Sequence, residues 1–149
     1  MPGIEVEIEI LGLKELQKKL GHDVMLGAPL KKILGQAALI LEREAKKRAT
    51  GRPGPMVQTG RLRASITSTI SSQPVPPWAK VGTNVKYAPY VEFGHKQKVG
   101  RYVKAIGKRL VNPMAPAYPF LFPAYEAMKS KIDELLDKAA KIIEDRFGK

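Results

Sequence analysis

The chain has 149 residues, 44% of them hydrophobic, which suits one domain with a modest core. It has no cysteine, so disulfide staples, thiolate metal sites and a cysteine nucleophile are excluded. No apolar run approaches the roughly 20 residues that span a bilayer, and Met1-Pro2-Gly3-Ile4-Glu5 offers neither a basic nor an apolar leader region. The expectation is a protein made and used in the cytosol, without a membrane.

The net charge of +12 is unevenly spread: thirteen of the fourteen acidic residues lie before Ala45 or after Tyr125, leaving Glu92 alone between them. The middle of the chain carries about +13 and the two ends together about −1. Such a field favours an anionic partner. Duplex DNA and an acidic protein surface satisfy it equally, and a solvated basic face without a partner is the third alternative.

Ile4, Val6, Ile8 and Ile10 alternate with Glu5, Glu7 and Glu9, the period of a strand with one wet face. After Gly12, Leu13 to Leu20 reads as a short helix stopped by Gly21, and Gly21 to Ala28 as a connector. Pro29 suits the first turn of a helix running to about Ala49, with Leu30, Ile33, Leu34, Ala37, Ala38, Leu41 and Ala45 as its core stripe. Gly51-Arg52-Pro53-Gly54-Pro55 breaks it into a flexible loop.

Thr59 can cap a brief turn through Arg61 and Leu62, followed by a strand over Ser65 to Ser71. Gln73-Pro74-Val75-Pro76-Pro77 is a second break. Trp78 to Thr83 reads as the next strand, and Tyr87 to Phe93 as part strand and part bend at Pro89. His95 to Pro116, rich in glycine, proline and cations, reads as a long excursion from the sheet. A last helix starts near Pro119 and runs to Gly148. Its apolar stripe is Leu121, Ala124, Tyr125, Met128, Ile132, Leu135, Leu136, Ala139, Ile142 and Ile143.

Three segments concentrate the informative residues. In Thr59-Gly60-Arg61-Leu62-Arg63, Gly60 can adopt a conformation closed to other residues, and the two arginines can fork onto carboxylate or phosphate; a capped turn with solvated arginines is the alternative. In Tyr87-Ala88-Pro89-Tyr90-Val91-Glu92-Phe93-Gly94 the aromatics fill core or interface. Glu92 should there pair with a cation, Arg61 or Arg63 being the candidates. Pro119-Phe120-Leu121-Phe122-Pro123 starts the final helix with side chains suited to packing it on the sheet.

Between the last two segments, Lys96, Lys98, Arg101, Lys104, Lys108 and Arg109, interleaved with Tyr102, can track a phosphate backbone or dock on a neighbouring subunit. Catalytic, metal and cofactor sites are not expected. His22 and His95 lack a two-ligand spacing, the serines lack a nucleophile-elbow context, and no glycine-rich phosphate loop occurs.

In this order and spacing, Val57-Gln58-Thr59-Gly60-Arg61-Leu62-Arg63-Ala64-Ser65-Ile66, the segment Tyr87 to Gly94, and Ala117-Tyr118-Pro119-Phe120-Leu121-Phe122-Pro123-Ala124 resemble one known family. It is the tail-component family of lambdoid siphophages, typified by gene product ten of phage HK97 and treated as tail-completion or head–tail joining proteins. The family usually has an aspartate before the threonine, where this chain has Gln58, so a cap or ion pair from that acid is not carried over. Family members vary across the basic excursion, and nothing is carried over there either.

The resemblance implies a non-enzymatic virion protein of a phage or prophage neck. Its subunits would assemble as a ring between the capsid connector and the tail, completing the tail so that it joins a DNA-filled head. Neck, connector and tail proteins and further copies of the chain would be its partners, with nonspecific DNA contact where DNA passes. Ring contacts are expected in the basic excursion, the Gly51 to Gly60 loop and the helix ends.

The expected architecture is α+β. An antiparallel sheet of about four strands carries two long helices and a long basic loop excursion, in a single domain over residues 1–149. Two functions compete with the resemblance: a nucleic-acid-binding protein that grips duplex DNA with the central cations, and a small hydrolase or toxin using Glu92 and His95.

Overall fold

A computed structural model describes residues 3–9, 24–56, 59–71, 77–104 and 106–147. In chain order it has β1 (Ile4–Glu9), α1 (Val24–Arg48), α2 (Arg61–Ser65), β2 (Thr67–Ile70), β3 (Trp78–Thr83) and α3 (Ala88–Phe93). Four two-residue strands follow: β4 (His95–Lys96), β5 (Tyr102–Val103), β6 (Lys108–Arg109) and β7 (Met114–Ala115). The last element is α4 (Leu121–Phe147). The architecture is α+β with small antiparallel sheets and two long helices. The helix expected over Leu13 to Leu20 lies outside the described residues.

The main sheet has the order β1-β3-β2, and both pairings are antiparallel. Ile4 opposes Thr83 and Glu9 opposes Trp78, while Thr67 opposes Gly82 and Ile70 opposes Ala79. Along β3 the side chains alternate, so Ala79, Val81 and Thr83 are buried. Trp78 and Lys80 point to the other face, where Lys80 pairs with Glu5 at 3.1 Å.

Helix α1 buries the stripe its spacing foretells: Leu30, Leu34, Ala37, Ala38, Leu41 and Ala45 are all inaccessible to solvent. It packs against β2, β3 and α4. Ile33, at the edge of the stripe, is half-buried beside Leu30 and Ala139. Helix α4 supplies Leu121, Ala124, Ile132 and Ala139 as buried residues, flanked by half-buried Tyr125, Met128, Leu135 and Leu136. It lies mainly along α1, so the long helices stack in succession instead of both covering the sheet. Alanines on both helices leave room for that approach.

Several boundaries differ from the sequence reading, each for a local reason. Among the described residues the main sheet has three strands, not about four, because within Tyr87 to Phe93 the residues Ala88–Phe93 form the helix α3. Pro89 sits in its first turn, where the missing N–H removes no intrahelical bond. Helix α1 starts at Val24, leaving Pro29 inside it, where the proline deprives only the carbonyl four residues earlier of a donor.

The brief turn expected at Arg61 and Leu62 extends to Ser65, and β2 begins at Thr67. Ser65 is held in the helix because its hydroxyl donates to the Leu62 carbonyl at 2.7 Å and lies 2.6 Å from the Thr83 hydroxyl. Among the described residues, the excursion over His95 to Pro116 is a strand-paired arm. Strands β4 and β7 pair at its base and β5 and β6 beyond them, and Gln97 N–H donates to the Pro113 carbonyl between.

Candidate functional site

Helix α4 begins without a local cap. The residues ahead of it, Ala117-Tyr118-Pro119-Phe120, carry no serine, threonine, aspartate or asparagine, and helix starts leave their first backbone N–H groups without intrahelical partners. Glu92, only 2% exposed, fills the role from 28 residues away. One carboxylate oxygen accepts from Phe120 N–H at 2.8 Å and Leu121 N–H at 3.0 Å; the other accepts from Phe122 N–H at 2.7 Å. The next residue is Pro123, which has no N–H to satisfy. All donors of the first turn are thereby accounted for, and a negative charge lies at the positive end of a 27-residue helix.

This corrects the expected pairing of Glu92 with Arg61 or Arg63. Both arginines are exposed, and among the described residues Glu92 forms no ion pair. Backbone N–H groups supply what a cation would have supplied, without a second charge to desolvate.

A second bond reinforces the lock: Tyr118 N–H donates to the Val91 carbonyl at 2.8 Å. Gly94 closes α3 at φ 71°, ψ 176°, and a β-carbon there would fall 2.6 Å from the Ala115 carbonyl oxygen. Only glycine lets the two chain segments pass so closely. The segments Tyr87 to Gly94 and Ala117 to Ala124 thus form one unit, and the basic arm springs from between them.

Thr59-Gly60-Arg61-Leu62-Arg63 joins this unit across a cleft of about 270 Å³, lined by Met56, Thr59, Arg61, Arg63, Tyr87 and Val91 among others. Gly60, at φ 71°, precedes α2; Thr59 hydroxyl accepts a long 3.4 Å bond from Arg61 N–H; and Leu62 is buried. Nearby, the Arg52 guanidinium lies 4.0 Å from the centre of the Tyr118 ring. Tyr87, Tyr90 and Phe93 are exposed, Phe93 at 68%, whereas Phe120 is fully buried. Tyr90 meets the His95 ring edge-on at 5.4 Å. Pro119 is exposed at the entry to α4.

On the arm, Lys96, Lys98, Arg101, Lys104, Lys108 and Arg109 are all exposed. Arg109 donates to the Gly100 carbonyl at 2.8 Å, bracing the ribbon. Among the described residues none of the six pairs with a carboxylate. The arm also exposes Val99, Tyr102, Ile106, Val111 and Met114, each at least half accessible. Cross-strand registry sets Tyr102 against Arg109 and Met114 against Lys96, so each pair combines an apolar and a cationic side chain.

The structure therefore brings Thr59, Gly60, Arg61, Arg63 and Tyr87 to one cleft, and Glu92, Gly94 and Phe120 to one lock. Tyr90 and Phe93 lie on the outside of α3, and the six cations project on the arm. Sequence reading missed the caps on α4 and the apolar walls Met56 and Val91. A helix start with proline at its third residue and no polar side chain before it was the available signal for the first. Among the described residues, no group of three His, Asp or Glu side chains could hold a metal, and no helix is long and apolar enough to cross a membrane.

The model of the bacteriophage HK97-gp10 tail-component family matches residues 13–94, more than half the chain, ending at the root of the arm. Two of the three segments singled out above lie inside the match, and Ala117 to Ala124 lies beyond it. Neither the curated proteins nor the solved structures provide a significant match. The chain belongs to the bacteriophage HK97-gp10 tail-component family and has a structural role in a phage tail, in the virion and in contact with other tail proteins.

Proposed function

We propose that residues 1–149 act as one tail-completion domain that joins the tail to the DNA-filled head by ring-type assembly in the neck. The observation that carries this reading is the arm, whose bare apolar side chains and exposed cations, Arg109 and its brace to Gly100 aside, serve no packing role among the described residues of their own chain. Large exposed apolar groups on an ordered element are the mark of a surface that is covered on assembly. A ring requires a heterologous contact, one patch meeting a different patch on the next copy, and an arm is suited to that.

Glu92, Gly94 and Phe120 fix where the arm leaves the body, and Pro119 begins the return into α4. Thr59, Gly60, Arg61, Arg63, Tyr87, Tyr90 and Phe93 form the surface beside its root for a connector or tail partner. Nonspecific contact with passing DNA is compatible with the charge. A catalytic role for Glu92 finds no support in its surroundings, since both carboxylate oxygens are engaged by the start of α4.

Purified protein added to tails assembled without it should restore their joining to filled heads, scored by electron microscopy. The double variant Arg61→Glu, Arg63→Glu should fold but restore little. Wild-type protein that leaves such tails unjoined would overturn the proposal.

A further inference from the structure

Resting on the assembly reading above, we propose that the basic arm of one copy docks along the exposed acidic stripe of α4 on the next copy, making the interface heterologous. Glu126, Asp133, Asp137 and Glu144 are separated by seven, four and seven residues, so the helical repeat puts them in one line. All four are exposed, and among the described residues none pairs with a cation of its own chain. By contrast, Glu134, off this line, is matched by Lys138 at 2.9 Å.

Phe122, 60% exposed, lies at the head of the same line, one turn before Glu126. The stripe thus offers an apolar anchor followed by a line of carboxylates, with exposed Lys129 and Lys141 on its two flanks. The arm offers the complement, with Ile106 and Val111 exposed among Arg101, Lys104, Lys108 and Arg109.

Charge decides between this contact and one that sets arm against arm. Arm against arm would set cation against cation in a chain at +12, whereas arm against stripe sets the arm's cations among carboxylates. The exposed apolar residues favour a protein over nucleic acid, because phosphate contacts use the cations and leave Ile106, Val111 and Phe122 in water.

Sedimentation velocity over a wide concentration range tests this on full-length protein. Lys104→Glu with Lys108→Glu should weaken self-association at least tenfold, and so should Asp133→Lys with Asp137→Lys. All four changes in one chain should restore it, because the charges again match. These positions are exposed, so circular dichroism and melting should remain those of the wild type.

Wild-type association in either pair, no rescue in the combined variant, or a wild-type chain that stays monomeric would overturn the docking. An arm reversal that spares association and removes binding to a duplex DNA probe would do the same and assign the arm to nucleic acid. The joining reaction separates this inference from the functional reading. Arm-reversed protein that still joins tails sinks the docking alone, while wild-type protein that fails to join them sinks the functional reading.

Discussion

Replacing Glu92 by glutamine changes charge and hydrogen-bonding sense while keeping shape. The amide retains one acceptor oxygen and turns an NH₂ donor toward a backbone N–H of the α4 first turn. A buried donor left unpaired and a lost charge-assisted bond together give an expected destabilisation of about 3 kcal/mol, read as a lowered midpoint in urea unfolding. A catalytic acid at this position would instead lose activity with its stability intact, so wild-type stability in Glu92→Gln would refute the cap. That Glu92 needs a specific partner was legible in the sequence, as the only acid in a strongly basic stretch. Its partner was not, because backbone N–H groups leave no trace in residue type. Gly94 was visible as a motif residue, but its need for glycine depends on the Ala115 carbonyl passing 2.6 Å from where a β-carbon would sit.

At the scale of elements, Glu42 on α1 ties that helix to the sheet. It accepts from Lys46 on its own helix at 2.6 Å and from Ser68 on β2 at 2.6 Å. Burial pushes the Glu42 carboxyl up, yet the Lys46 ammonium and the Ser68 hydroxyl together outweigh it and hold the carboxyl below its ordinary value of 4.5. Folding therefore favours the carboxylate. Its contribution is complete above the ordinary value and is lost as the pH falls through the lowered folded value. Glu42→Gln should cost about 1 kcal/mol at neutral pH, and its gap from wild type should shrink as the pH falls below the ordinary value of 4.5 and through the lowered folded value. Thermal melts of both proteins across that range check this; a gap that persists unchanged in acid would show that the carboxylate contributes nothing. The long helices were readable here because Leu34 and Leu41, or Ile132 and Ala139, recur at helical spacing over many turns. Helix α3 was not, since six residues rich in tyrosine, valine and phenylalanine show strand propensity and are too short to show a period. The excursion was legible, but its strand pairing was not, because the strands are two residues long and pair across the ribbon.

At the scale of the molecule, the partition between a strongly basic middle and near-neutral ends that hold thirteen of the fourteen acids becomes a partition in space. The six cations of the arm stand on an element that protrudes between α3 and α4, and the acidic stripe lies along α4. The sequence disclosed the imbalance and the family resemblance; the geometry adds that the arm is rooted where α3 is hydrogen-bonded to the start of α4 and carries apolar groups beside its cations. Mass-resolved size exclusion over a wide concentration range, at low and high salt, with and without tail or connector protein and duplex DNA, tests the central claim of ring-type assembly most directly. A discrete oligomer, formed alone or on adding the tail or connector partner, is the expected result. A strict monomer that ignores those partners and binds DNA tightly, with a steep loss on adding salt, would contradict it.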